Sequence, residues 1–78
     1  MAAVSPNPSS SVITVQAISS TELLSGVRLR DRSGLLIRTW NQLGQIITCN
    51  VADLPSDVYF IEVLVGSNSE VHRVVVDH

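Results

Sequence analysis

Six stretches of the chain alternate between apolar and polar residues with a period of two, the spacing of a β-strand with one buried face. The pattern is clearest in residues 12–18 and 58–65, where β-branched residues predominate. It predicts six strands, at residues 12–18, 27–30, 35–40, 45–51, 58–65 and 70–76. Any helical turn begun by residues 20–23 would end at once at Gly26, so no helix is predicted.

Short turns separate these strands. Residues 31–34 have aspartate first and glycine last, as a type I turn with a left-handed exit prefers. Leu54 is held extended by the proline that follows it, and residues 66–69 close another hairpin. Because every connection is short, antiparallel pairing should dominate. The sequence therefore predicts an all-β fold, a small Ig-like antiparallel β-sandwich of six or seven strands.

The inward face of each strand supplies the predicted core. In the second predicted strand, for example, Val27 and Leu29 point inward, whereas Arg28 and Arg30 point outward. A stiff corner at Pro55 is expected to direct the tyrosine of the next strand into the same core. The side chains predicted to form it are Tyr59, Ile61, Val63, Val27, Leu29, Ile13 and Val15.

The first eleven residues contain two prolines, which exclude a helix there. We therefore predict that residues 1–11 form an extended lead-in, or linker, and that residues 12–78 form the sandwich domain. Residues 1–3 are left out of the predicted fold.

Composition excludes several classes of function. Seventy-eight residues make one domain, and a net charge of −2 predicts neither nucleic acid nor an anionic membrane as a partner. The single cysteine, Cys49, excludes an internal disulfide and is expected to be a buried small hydrophobe. His72 and His78 have no partners at ligand spacing, so no metal is predicted. No nucleophile, base and acid arrangement is recognisable, so we expect no enzyme activity and no cofactor.

Three segments stand in a fixed order. Pro6-Asn7-Pro8 precedes the first alternating strand, residues 27–37 contain a strand, an Asp-x-x-Gly turn and a strand, and residues 53–61 contain Leu-Pro-Ser-Asp-Val-Tyr. Together they resemble the type A C-terminal sorting domain of the type IX secretion system of Bacteroidetes. The resemblance extends from Ser5 to residue 78.

The resemblance implies a C-terminal secretion signal that directs an N-terminal cargo protein across the outer membrane. The implied partners are the outer-membrane translocon or shuttle and a sortase-like peptidase, which cleaves the domain for surface attachment or release. The implied location is the periplasm in transit, then the cell surface or the extracellular space. The matched recognition and turn residues are Asp31, Gly34, Leu54, Pro55, Asp57, Tyr59 and Arg73.

Two positions depart from the family pattern. Asp57 stands where glycine is usual, and aspartate tolerates a left-handed backbone. We therefore expect a positive φ at Asp57, and a neutral or mildly stabilising effect of Asp57→Gly. The last residues here are Asp77-His78, where the family tends to have a basic strand and a terminal lysine.

The outward faces of the last two predicted strands form a candidate partner surface. Phe60 and Leu64 share a face with Glu62, and Val71 and Val75 share a face with an arginine. If the two faces coincide, the result is an apolar strip of the kind that often marks partner contacts. The alternative is that a loop or the cargo covers it.

Arg28 and Arg30 alternate on one strand. They could form a docking stripe for an acidic receptor or for lipid headgroups, although we favour the interpretation that they belong to a solvated outer face or protect a sheet edge.

A different class of function fits the same fold. The chain could be an Ig or fibronectin-like adhesive or carbohydrate-binding module of an extracellular protein, with Trp40 as a sugar platform, although a core lid is the favoured role for Trp40. Unpaired strand edges could also form an edge-strand dimer of the isolated domain.

Overall fold

The computed structural model describes residues 2–5, 11–19 and 21–78, and the regular structure of these residues is entirely β-strand. The strands, in chain order, are β1 (Ala2–Ser5), β2 (Val12–Ala17), β3 (Leu24–Asp31), β4 (Leu36–Trp40), β5 (Ile46–Asn50), β6 (Asp57–Val65) and β7 (Asn68–Val76). Over the described ranges, no helix is long and apolar enough to cross a membrane. The six predicted strands are all present, with ends shifted by no more than three residues.

The strands form two sheets, with the orders β1-β2-β5 and β4-β3-β6-β7. Every pair of neighbouring strands is antiparallel. The chain passes from one sheet to the other after β2, after β4 and after β5, so each sheet is assembled from distant segments. This arrangement confirms the predicted all-β antiparallel sandwich.

The core lies between the sheets and contains all of the predicted core residues. Tyr59 is 4% exposed, and the other six predicted members are completely buried. Cys49 is also buried, as predicted, and this burial raises the pKa of its thiol to about 11. The thiol is therefore protonated at neutral pH and packs as an apolar group.

β3 begins three residues earlier than predicted because Gly26 lies inside the strand. Its pairing with β6 shifts between Leu24 and Gly26, which leaves Ser25 as a bulge. A Cβ atom on residue 26 would lie 3.2 Å from the backbone oxygen of Trp40. The glycine therefore permits a close approach of two strands and does not end one.

β1 is a strand that the sequence analysis did not predict. Ala2 pairs with Ala17 of β2, its side chain is 5% exposed, and its N–H donates to Oε1 of Glu70 at 3.2 Å. The expected lead-in at residues 1–11 is thus corrected for Ala2–Ser5, which belong to the smaller sheet. The four residues of β1 end directly before a proline, and they are too few to show an alternation of apolar and polar positions. Residues 6–10 lie outside the described residues, and the domain boundary itself stays a prediction.

The pairing of β1 predicts that Ala2 and Ala3 respond differently to a charge. Ala2→Asp should lower the free energy of unfolding by roughly 2 kcal/mol, because a carboxylate would be buried in the core. Ala3→Asp, on the exposed face of the same strand, should change it by less than about 0.5 kcal/mol. Urea unfolding of both variants measures this difference, and equal effects would contradict the assignment of β1 to the core.

Candidate functional site

The predicted recognition residues gather at one end of the sandwich, with one exception. Asp31, at the end of β3, pairs with Tyr59 of β6. Nε of Arg32, in the adjoining turn, lies 3.8 Å from Oδ2 of Asp57. The turn at residues 31–34 and the corner at residues 54–56 therefore adjoin one another. Arg73 is the exception because it belongs to neither turn and faces outward from β7, opposite Phe60.

The turn after β3 is organised by the side chain of Asp31. Its Oδ1 accepts hydrogen bonds from the N–H of Ser33 at 2.9 Å, the hydroxyl of Ser33 at 2.6 Å and the N–H of Leu35 at 3.0 Å. The hydroxyl bond is the main reason that the pKa of Asp31 is lowered. Gly34 adopts a φ of 92°, which side chains disfavour. The predicted turn is thus confirmed.

The corner before β6 is fixed from within the core. The hydroxyl of Tyr59 donates to the backbone oxygen of Pro55 at 2.8 Å, and the side chain of Leu54 is buried. Burial, followed by the nearby carboxylates of Asp57 and Asp31, raises the pKa of the Tyr59 phenol. The phenol therefore remains a donor, and the prediction that the corner directs this tyrosine into the core is confirmed.

His78 holds the same corner from the other side. Its N–H donates to Oγ of Ser56 at 3.1 Å, and its Nε2 lies 2.7 Å from the backbone oxygen of Leu54. Since a carbonyl only accepts, Nε2 is the donor. Three consecutive residues, 54–56, thus each bond to a group outside the corner. The sequence contained no local signal for this contact, because the partners are more than twenty residues apart.

The expected positive φ at Asp57 is wrong. Among the described residues, only glycines have a positive φ. Asp57 is the first residue of β6 and pairs with Val76, and its Oδ1 accepts a hydrogen bond from the N–H of Val58 at 2.7 Å. The strand begins one residue earlier than predicted, so Asp57 needs an extended backbone. The expectation that Asp57→Gly is neutral or mildly stabilising rested on a positive φ and therefore loses its basis.

A second unpredicted contact connects the two sheets. Arg38 of β4 donates from Nη1 and Nη2 to the two carboxylate oxygens of Asp53, at 3.1 and 2.9 Å, and from Nη1 to the backbone oxygen of Asn50 at 2.9 Å. These bonds lower the pKa of Asp53. Because Asp53 directly precedes Leu54, the arginine also anchors the start of the corner.

The candidate partner surface is one continuous face. In the register of β6 and β7, Phe60 lies opposite Arg73, and Val71 lies opposite Glu62. The two predicted outward faces therefore coincide on the outside of the larger sheet. Phe60, Leu64 and Val75 are half-buried, and Val71 is 66% exposed. We call this the β3–β6–β7 face, defined by Arg28, Arg30, Val58, Phe60, Glu62, Leu64, Val71, Arg73 and Val75.

The two arginines of β3 belong to this face. Nη1 of Arg28 lies 3.3 Å from Oε1 of Glu62, and Nη2 of Arg30 lies 3.7 Å from the same oxygen. They contact a carboxylate inside the face, and their side chains remain 40% and 38% exposed. A role in partner contact stays a prediction.

Trp40 is half-buried and packs against the core, as expected of a core lid. Within residues 2–5, 11–19 and 21–78, no three histidine, cysteine, aspartate or glutamate side chains are grouped as metal ligands would be.

The fold is a small antiparallel β-sandwich in which the turn at residues 31–34 and the corner at residues 54–56 adjoin one another. The family model of the secretion system C-terminal sorting domain matches residues 3–77. The chain therefore belongs to this family, and it is a C-terminal sorting signal of the type IX secretion system. Membership implies a cargo on its N-terminal side, contact with the secretion machinery, and export across the outer membrane to the surface or the extracellular space. No curated protein matches the sequence.

The geometry at Asp57 predicts a loss of stability for the family's usual residue. Asp57→Gly should lower the free energy of unfolding by about 1 kcal/mol, because it removes the bond to the N–H of Val58 and adds backbone freedom to the unfolded chain. Asp57→Asn keeps an acceptor oxygen and should remain close to the parent. Chemical denaturation compares the three proteins, and a glycine variant as stable as the asparagine variant would contradict the extended backbone.

The bond between Arg38 and Asp53 predicts a pH dependence. The folded state lowers the pKa of Asp53 from 3.8, so the bond stabilises the fold above that pH. The stabilisation is lost as the pH falls through the lower, folded-state pKa. The decrease in unfolding free energy between about pH 5 and about pH 2 should therefore be smaller in Asp53→Asn than in the parent.

Arg38→Gln provides the matching test for this pair, because it removes the donor and leaves the carboxylate. It should flatten the pH dependence in the same direction but by less, because the backbone hydrogen bond of Asp53 still lowers the pKa of this carboxyl. The double variant should add little to Asp53→Asn. Denaturation midpoints at each pH measure all four proteins. Additive effects of the two substitutions would show that the two side chains act independently.

Proposed function

We propose that the secretion machinery reads this domain as a folded object after its transit through the periplasm. In this proposal, an outer-membrane translocon or shuttle binds the sandwich, and a sortase-like peptidase then removes it for attachment or release of the cargo. The observation that most supports this proposal is that residues of the family's motifs form hydrogen bonds inside the domain. The carboxylate of Asp31 and the hydroxyl of Tyr59 are occupied by internal hydrogen bonds. These residues therefore specify a shape.

We also propose that the domain has no catalytic activity of its own. Its cysteine is buried and has a raised pKa, which disfavours the reactive thiolate. The imidazole of His72 contacts Glu70, and that of His78 contacts a backbone oxygen, so both rings have structural partners. These observations support a label and not an enzyme.

The β3–β6–β7 face is our proposed contact for the machinery. It is the outer surface of the larger sheet, and it combines half-buried apolar side chains with arginines. The opposite face, on the outside of the smaller sheet, carries small polar side chains such as Thr14, Gln16 and Thr48. That face also exposes one large apolar side chain, Ile46, which is 57% exposed, but its strands contain no charged residue. The combination of apolar side chains with arginines therefore distinguishes the β3–β6–β7 face and supports it as the docking surface.

An export assay tests this proposal. Residues 2–78, which include β1, are placed behind a signal peptide and a fluorescent protein in a host with a type IX system. The parent fusion should reach the surface, which protease shaving or surface labelling measures. Phe60→Glu/Val75→Glu should leave the fusion in the periplasm, because two charges would disrupt an apolar contact. Periplasmic retention of the parent fusion would contradict the proposal and favour an adhesive module.

The control is Gln16→Glu/Thr48→Glu, which adds the same two charges to diagonal positions of two paired strands on the opposite face. It should be exported like the parent. Both double variants are purified and unfolded in urea, so that loss of export is compared only between folded proteins. Normal export of a stably folded Phe60→Glu/Val75→Glu protein would remove this face as the contact.

A further inference from the structure

Phe60 lies between two arginines on neighbouring strands. In the larger sheet it is opposite Arg30 of β3 on one side and opposite Arg73 of β7 on the other. Directly paired side chains of a sheet point to the same face and lie about 5 Å apart at Cβ. Phe60 therefore stands in a row with an arginine on each side. The guanidinium of Arg30 donates to the backbone oxygen of Gly34 at 3.3 Å and lies 3.7 Å from Oε1 of Glu62.

Charge is distributed unevenly over the molecule. The β3–β6–β7 face carries three of the five arginines and a single carboxylate, Glu62, which gives it a charge of +2. The whole chain has a charge of −2, so the residues outside this face together carry −4. The strands β1, β2 and β5 of the smaller sheet contain no charged residue. The positive charge is thus concentrated on one outer face, where it lies beside half-buried apolar side chains.

We propose that this face binds an acidic protein surface, with carboxylates opposite Arg30 and Arg73 and an apolar side chain against Phe60. The inference rests on the proposed function, since the partner is the component of the secretion machinery that reads the domain. Guanidinium groups match carboxylates in shape and form paired hydrogen bonds with them. Complementary charge around an apolar centre orients a partner and speeds its association.

The same face is poorly suited to anionic lipid. Recognition of a membrane surface typically uses clusters of about four to eight basic residues. Here the face has three arginines, and two of them, Arg28 and Arg30, lie beside Glu62, whose carboxylate would meet lipid phosphates with a like charge. A protein partner can place its own groups around that carboxylate, whereas a lipid surface cannot.

Competition inside one host cell tests the inference. Two fusions with fluorescent proteins of different colours, one parent and one variant, are expressed together so that they share a limited number of export sites. Arg30→Gln/Arg73→Gln should reduce the exported share of the variant by about tenfold, because it removes both guanidinium groups beside Phe60. Gln16→Glu/Thr48→Glu, which changes the net charge by the same −2 on the opposite face, should compete like the parent.

Glu62→Gln is expected to act in the opposite direction. It raises the charge of the face to +3, so a folded Glu62→Gln fusion should compete at least as well as the parent. A folded variant that loses the competition would overturn the proposal of an acidic partner. Unfolding midpoints of the purified domains confirm that each variant is folded at the temperature of the assay.

The outcomes separate this inference from the proposed function. If the parent fusion is not exported, the proposed function fails. If the parent is exported and Arg30→Gln/Arg73→Gln competes equally, only the acidic partner is overturned. Co-sedimentation of the purified domain with phosphatidylglycerol–phosphatidylcholine vesicles is expected to show no binding. Binding that the arginine variant loses would overturn the proposal in favour of a lipid surface.

Discussion

The hydrogen bond from Tyr59 to the backbone oxygen of Pro55 is the contact on which the rest of the molecule depends. A tyrosine that is 4% exposed needs a partner for its hydroxyl, because an unpaired polar group in a core costs about 1–3 kcal/mol. The corner supplies that partner four residues earlier in the chain. The ring thus ties an exposed turn to the inside of the sandwich, much as a tyrosine corner does in Ig domains. Because Tyr59 also pairs with Asp31, the neighbouring turn takes its position from the same residue.

A domain of 78 residues has a thin margin of stability, so its turns need contacts that fix their conformation. Here one end of the sandwich is held by short local bonds around Asp31 and by long-range bonds from Arg38 and His78. Each of these bonds is exposed or half-exposed and weak by itself. The bonds of Asp31 fix the turn at residues 31–34, and the bonds from Arg38 and His78 restrict the backbone of the corner, so this end of the sandwich has a defined shape.

Most of the fold could be predicted from the alternation of apolar and polar residues, because burial on one face imposes a period of two on each strand. It predicted which of Val27 and Arg28 is inside, and it placed Tyr59 in the core. It failed where no period could develop. β1 has four residues, too few to show alternation. Gly26 is a residue type that usually separates strands, but here it lies inside β3 where two strands approach closely. Asp57 was misjudged because glycine at that place in the family suggested a left-handed backbone. The contacts of Arg38 and His78 depend on how the two sheets are stacked, which no local pattern records.

β6 explains how one short chain can hold both a core and the outer face that we propose as a contact surface. Its residues alternate without interruption, so Tyr59, Ile61 and Val63 complete the core, while Phe60, Glu62 and Leu64 form the centre of the outer face. The same pairing with β3 and β7 that buries the first set brings arginines to both sides of Phe60. The register that stabilises the sandwich therefore also creates the charged apolar row. A one-residue slip of β6 would exchange the two sets, so folding correctly and presenting this face are a single structural event.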